Sequence, residues 1–198
     1  MYDNLGNIIN EKKCPFCRTP VHESIEEYME RLQKRVELDD ADAIRNLGCF
    51  YRNGEFGLPQ DYVKALELFI RAGELGHAEA YCNTGYAYEN GEGVEIDKKK
   101  ANHYYQLAAI GGNANARYNH GNNEQRAGNM NRALKHYMIA AEGGNNNSLK
   151  QIQKLYTTGH ATKDDYAKAV RAYQVYLAEI KSDQRDKAAA ASENYCYY

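Results

Sequence analysis

Residues 43–77, "AIRNLGCFYRNGEFGLPQDYVKALELFIRAGELGH", return in altered form at residues 80–113, "AYCNTGYAYENGEGVEIDKKKANHYYQLAAIGGN". Gly48 matches Gly85, 37 positions on, and Tyr51 matches Tyr88 and Gly54 matches Gly91 at the same step. Ala65 matches Ala101, the small pair Ala72-Gly73 matches Ala108-Ala109, and Gly76-His77 matches Gly112-Asn113. Self-similarity at this period is the signature of a stacked repeat rather than of a single closed core.

A third copy spans residues 116–145, with Gly121, Ala133 and Ala140-Ala141 in the matching places and a shorter connection between its halves. A fourth, residues 148–182, keeps Tyr156, Gly159, Tyr166 and Ala169. It carries Gln153 in place of the glycine and Tyr176-Leu177 in place of the small pair. Divergence in the last repeat is expected of a cap.

Each copy reads as two antiparallel helices. The first, helix A, carries the glycine. The second, helix B, has apolar residues at helical spacing, as in Ala65, Leu68, Phe69 and Ala72. Asp61, Asp97, Asn131 and Asp164 are the expected N-caps of the B helices. Glycine inside a helix costs about 1 kcal/mol relative to alanine. Its recurrence therefore needs a packing reason, and close approach to the alanines of helix B supplies one. Gly76, Gly112 and Gly144 fit left-handed residues that stop helix B. Ahead of the repeats, Ser24 and Glu27 form a capping-box pattern, and Ile25, Tyr28, Met29 and Leu32 an apolar stripe, so a cap helix is expected over about residues 24–36. The expected fold is an all-α, right-handed solenoid of antiparallel helix pairs. It runs over residues 23–182, after an irregular segment 1–22 and before a fraying tail 183–198.

The bulk numbers exclude several classes. A formal net charge of −2 offers no broad attraction to nucleic acid or to an anionic membrane. No signal-peptide pattern opens the chain, and no apolar run approaches the roughly 18 residues of a membrane span. Five cysteines without regular spacing argue against a disulfide framework, so an intracellular location, cytoplasmic or nuclear, is expected. Close carboxylates in "KDDYAKA" and "DADA" are explained by helix capping. The glycine-rich "GEGVEIDKK" lacks the phosphate-loop pattern, and the six histidines form no H-x-x-x-H or H-E-x-x-H motif. His77, where Asn113 and Asn145 stand in later copies, reads as a cap or turn residue. Cys49 and Cys82 have no neighbouring base and read as small helix residues.

The pattern carried by Leu47, Gly48, Tyr51, Gly54, Asp61, Tyr62, Lys64, Ala65, Leu66, Ala72, Gly73 and Gly76, and by their counterparts, resembles the Sel1-like repeat (SLR), a relative of the tetratricopeptide repeat. Thr84 and His120 at the usual leucine position, Glu124 at the tyrosine position and Gln153 at the glycine position depart from it. The resemblance implies a non-catalytic scaffold or adaptor that binds a protein or peptide on the concave face. By analogy with tetratricopeptide geometry, three positions of each A helix point outward. These are Arg45, Cys49 and Arg52 in the first repeat and Cys82, Tyr86 and Glu89 in the second. Tyr118, Asn122 and Gln125 follow in the third, and Lys150, Lys154 and Thr157 in the fourth.

"CPFCRTP", with Cys14 and Cys17, is similar to the last zinc knuckle of a RING domain, and with the repeats it resembles algal RING-plus-SLR proteins. A knuckle supplies two zinc ligands, with His22 a third nearby; the alternative is a ligand-free turn. A complete RING needs six further ligands, and none of the 13 residues before Cys14 is Cys or His, so a remnant is expected. The second functional reading is the substrate-recognition part of a RING-type E3 ubiquitin ligase. No other cofactor is implied.

Overall fold

The computed structural model describes residues 24–180. The knuckle at Cys14 and Cys17, the segment 1–22 and the tail 183–198 therefore lie outside the described residues. Within them the chain is a succession of helices without strands: α1 (Ile25–Glu37), α2 (Ala41–Asn53), α3 (Tyr62–Glu74), α4 (Ala78–Asn90), α5 (Lys98–Ile110), α6 (Ala114–Arg126), α7 (Met130–Glu142), α8 (Asn146–Thr157) and α9 (Lys163–Ile180). Helices α2, α4, α6 and α8 are the A helices, and α3, α5, α7 and α9 the B helices. Packing runs almost wholly between consecutive helices, with α4 on α6 and α7 on α9 as additional contacts. The result is the all-α helical repeat solenoid that the periodicity implies.

Capping follows the same period. Ser24 opens α1 with a complete capping box: its N–H donates to Glu27 Oε2 at 2.9 Å, and the Glu27 N–H donates to Ser24 Oγ at 3.1 Å. Asp40, His77, Asn113 and Asn145 open the A helices, each accepting from the backbone N–H three residues on. His77 does so through Nδ1, at 3.2 Å from the Ala80 nitrogen, so it is a cap residue as its repeat position suggests. Asp61 and Asp97 cap α3 and α5 as expected. The other two B-helix caps are corrected. Helix α7 begins after Asn129, two residues before Asn131, because the shorter connection brings the chain into the helix early. Helix α9 is opened by Thr162, whose Oγ1 accepts from the Asp165 N–H at 3.1 Å, while Asp164 lies inside the first turn and pairs with Lys168 at 2.7 Å. Gly76, Gly112 and Gly144 end the B helices with φ of +94°, +85° and +87°, a backbone that side chains rarely tolerate.

The helix-A glycine has a more specific cause than contact with alanines. A Cβ on Gly48 would lie 2.7 Å from the Phe69 ring, one on Gly85 2.7 Å from Tyr105, and one on Gly121 2.7 Å from Tyr137. Each ring comes four residues after the helix-B alanine (Ala65, Ala101, Ala133), and all three are almost wholly buried. The ring, not the alanine, fills the space the glycine leaves. The fourth repeat shows the converse. Gln153 replaces the glycine, and Tyr173 at the ring position is only half-buried. The small pair serves the next repeat: the Tyr81 ring of α4 packs where a Cβ on Gly73 would stand.

Repeat three, with its contact to Asn102 of repeat two, is polar where repeat one carries leucines. Leu47, Leu66 and Leu68 of the first repeat correspond to His120, Asn102 and His136. The His120 and His136 rings meet edge to face at 4.4 Å between centroids. His120 Nδ1 lies 2.7 Å from Asn102 Oδ1, so that nitrogen carries the proton and donates. His136 Nδ1 is buried without a partner among the described residues. Burial, the facing His120 and Arg117 hold His136 down to about 4, against the opposing Glu124, with Arg132 adding a smaller push downward. Burial lowers His120 too.

Two outcomes follow from this packing. Gly85→Ala should destabilise the chain by about 1–2 kcal/mol in urea unfolding, because overpacking against a fixed ring outweighs the helix propensity gained. Gain of stability would refute the ring-in-glycine account. The histidine pair sets a pH dependence. The folded pKa of His136 lies below its unfolded value of 6.5, so the unfolded chain binds the extra proton. Stability is therefore full above about pH 6.5 and falls as the pH drops toward about 4. His136→Leu, which copies Leu68, should flatten that slope in thermal unfolding measured across the same range.

Candidate functional site: the A-helix face

Helices α2, α4, α6 and α8 lie side by side along the solenoid, so one register position on each builds a row across the face. The rows at the expected outward positions differ in what they offer. In the first repeat Arg45 is half-buried: Nη1 donates to Asn46 Oδ1 at 3.0 Å and Nη2 pairs with Glu79 of α4. Cys49 is half-buried beside it. Arg52 lies over the Phe69 ring, 5.9 Å from its centroid.

In the second repeat Tyr86 is 44% exposed, whereas Cys82, expected to point outward, is buried at 9% exposure. Cys82 instead packs into the core cluster that holds the Tyr105 ring and the alanines Ala87, Ala101 and Ala108. Burial pushes both thiols up, Cys82 to about 12, the direction that keeps them protonated. Glu89 is tied on two sides, accepting from the Tyr105 hydroxyl at 2.8 Å and from Arg126 Nη1 of α6 at 2.7 Å. Burial and the neighbouring Glu89 raise the Tyr105 hydroxyl far above its ordinary value, so it remains the donor.

The third repeat repeats the device. Tyr137 Oη lies 2.8 Å from Asn122 Oδ1 and 2.6 Å from Gln125 Oε1. A hydroxyl has one proton, so it donates to one carboxamide and accepts from the other turned over. Tyr118 packs on the Tyr137 ring at 5.8 Å and is half-buried. On α8, Lys150, Lys154 and Thr157 are exposed, and the Thr157 hydroxyl donates to the Lys154 carbonyl at 2.9 Å.

A pocket of about 450 Å³ opens on this face. It brings together Arg52, Cys82 and Tyr86 of the expected residues. It does not include Glu89, Asn122 or Gln125, whose polar atoms serve the buried tyrosines, nor the α8 residues. Two further lining residues, Asn83 and Asn119, escape the outward-position reasoning. They belong to a row two positions before the helix-A glycine: Asn46, Asn83, Asn119 and, before Gln153, Gln151. Every A helix therefore presents a carboxamide at the same register. The signal stands in the repeat alignment and is missed only when attention goes to the glycine and its borrowed outward positions. The Asn83 amide nitrogen is buried and has no hydrogen-bond partner among the described residues. The rest of the wall comes from the repeat connections, with Gln60, Tyr62 and Glu92.

Chemically the face offers amide donors and acceptors, tyrosine surfaces and scattered charge. No group of three or more side chains able to hold a metal ion occurs among the described residues. No described helix is long and apolar enough to cross a membrane.

Comparison with known proteins agrees with this geometry. The Sel1 repeat family matches residues 41–77, 78–113 and 114–145, which are the first three helix pairs. The crystal structure of a Sel1 repeat protein from Oxalobacter formigenes is similar with a TM-score of 0.70 and 31% identity, over 79% of this chain and 66% of that one. The protective antigen c5321 of uropathogenic Escherichia coli, described as displaying an SLR fold, is similar with a TM-score of 0.68 and 27% identity, over 80% of this chain and 35% of that one. A plant protein, the ERAD-associated E3 ubiquitin-protein ligase component HRD3B of Arabidopsis thaliana, is 37% identical over 62 residues, 31% of this chain and 10% of its own length. The chain thus spans a small part of that plant relative and about a third to two-thirds of the solved ones. Sel1 repeat proteins generally mediate protein–protein interaction, and no catalytic family is indicated. With three consecutive family matches covering more than half of its residues, and a solenoid of the same architecture as the solved members, the chain belongs to the Sel1 repeat family.

Proposed function

We propose that this chain is a non-catalytic adaptor that holds an extended segment of a partner protein across its A-helix face. The observation that carries the reading is the carboxamide row, with Asn83 lining the pocket and its buried amide nitrogen left without a partner among the described residues. A buried polar group without a partner is destabilising by about 1–3 kcal/mol. A partner backbone carbonyl satisfies it when the Asn83 side chain, whose nitrogen is closed to solvent in the free chain, turns into the pocket that it lines. Carboxamides spaced along the face can bond peptide units whatever the side chains, and tyrosines such as Tyr86 can cover the apolar ones. The partner is a protein or peptide rather than nucleic acid or membrane, and the cysteine usage favours the cytoplasm or nucleus.

A second reading, substrate recognition within a RING-type E3 ubiquitin ligase, is favoured by the partial similarity to HRD3B and by the Cys14/Cys17 knuckle. It predicts stoichiometric zinc on the purified chain, lost in Cys14→Ser; a zinc-free chain would remove this support and leave the adaptor reading standing.

The adaptor reading is tested by photo-crosslinking in an extract of the cells that make the protein. A crosslinker at position 86 should capture partner peptides, while one at position 110, on a residue 80% exposed away from the pocket, should not. In Asn83→Ala/Asn119→Ala the capture should fall by about tenfold, equivalent to about 1.4 kcal/mol. The unfolding midpoint should hold or rise, because removing an unsatisfied amide relieves the fold. Crosslinking concentrated at position 110, or untouched by the double substitution, would refute the reading.

A further inference from the structure

We infer that the segment held on the A-helix face is acidic, an inference that rests on the groove reading above and adds the chemical class of its ligand. It comes from which charges on the A helices are already spoken for. Each of their carboxylates has an internal partner. Asp42 lies 2.9 Å from His77 Nε2, and Glu79 pairs with Arg45. Glu89 takes the Tyr105 hydroxyl and Arg126. Glu124 accepts from Asn129 Nδ2 at 2.8 Å, with Arg132 at 4.0 Å.

The cations divide differently. Arg45 and Arg126 are consumed by those pairs, and Arg117 donates to the Ala109 carbonyl at 2.7 Å. Arg52, Lys150 and Lys154 have no carboxylate partner among the described residues. Arg52 has only a long contact to Asn53 Oδ1 at 3.4 Å and its position over the Phe69 ring. Although the chain as a whole carries −2, the unspent charge of its A helices is positive and sits toward the two ends of the row.

Arg52 and Asn83 both line the pocket, so a carboxylate side chain can meet the guanidinium while the neighbouring backbone carbonyl takes the Asn83 amide once that side chain turns outward. Lys150 and Lys154, three repeats further on, engage acidic residues at the other end. Glu92, from the α4–α5 connection, is the carboxylate lining the same pocket. It repels an acidic ligand locally and so fixes the side on which the ligand's carboxylate sits, toward Arg52 and away from the loop. An acidic side chain within the extended segment is the occupant this arrangement fits.

The test is selection of random short peptides, displayed on phage, against the full chain. Clones are sorted by whether Asn83→Ala/Asn119→Ala weakens them, which marks those bound in the groove. The expected result is that groove-bound clones are enriched in Asp and Glu over the unselected library. They should lose about tenfold in affinity with Arg52→Glu and with Lys150→Glu/Lys154→Glu, weaken with added salt, and tighten with Glu92→Gln. Arg52→Gln gives the same ordering with a smaller loss if charge reversal unfolds the chain. Groove-bound clones without acidic enrichment, or indifferent to these substitutions, overturn the acidic inference and leave the groove reading intact. Clones that all ignore Asn83 and Asn119 overturn both.

Discussion

An aromatic ring laid against a helix that lacks a side chain is the contact on which the rest of this solenoid depends. Phe69, Tyr105 and Tyr137 can be buried only because Gly48, Gly85 and Gly121 let the A helix come close. Each glycine weakens its own helix by about 1 kcal/mol, while losing a buried aromatic ring typically costs about 3–5 kcal/mol. The exchange therefore favours glycine wherever the ring is fully enclosed. At the fourth repeat enclosure stops, since the face of α9 has no described repeat after it. There the glycine gives way to Gln153, Tyr173 moves to partial exposure, and Tyr176 closes over the Gly144 turn instead.

The same contact sets the chemistry of the surface. The tyrosine rings of repeats two and three pass through the A-helix seam and end in hydroxyls on its far side. There they commit Glu89, Asn122 and Gln125 to the fold. Phe69, in the first repeat, has no hydroxyl. Nothing in that repeat is recruited to satisfy one, and Arg52 lies over the bare ring without a carboxylate. A single oxygen thus decides whether the polar groups above a ring are struts or stay available. The Glu89–Arg126 pair extends the connection from one repeat to the next, with Arg126 itself largely exposed.

Much of this was legible in the sequence. Period, helix order, the capping box at Ser24, the cap role of His77 and the left-handed ends at Gly76, Gly112 and Gly144 all follow from local rules that need only neighbours in the chain. What escaped were facts that depend on a second helix. Asn131 and Asp164 are good cap residues, but where α7 and α9 begin is decided by the length of the preceding connection and by Thr162. The glycine demanded a close neighbour, and the alanines were the small residues in view, yet a ring is what fills the space. His120 and His136 lie 16 positions apart and look scattered until the repeat alignment puts them on facing positions of one pair. Borrowed outward positions identified Arg52 and Tyr86 at the pocket but passed over Asn83 and Asn119, because an asparagine on a helix looks like ordinary solvated surface. The zinc expectation at Cys14 and Cys17 lies outside the described residues.

Under the proposed adaptor reading, a division of labour along the face would let one floor serve selective binding. In the adaptor reading we propose, a row of carboxamides at a fixed register would address the partner's backbone, which is the same in every peptide, and so contribute affinity without choice. Choice must come from groups that are not repeated, and these are the charges left over after internal pairing. Because each repeat packs chiefly on its neighbours, a change at Arg52 or at Lys154 alters one end of the face without disturbing the ring-and-glycine contacts beneath it. A tyrosine in place of Phe69 would do the opposite. It would bring a hydroxyl to the position beneath Arg52, draw that repeat's polar groups inward, and exchange the proposed recognition site for a strut.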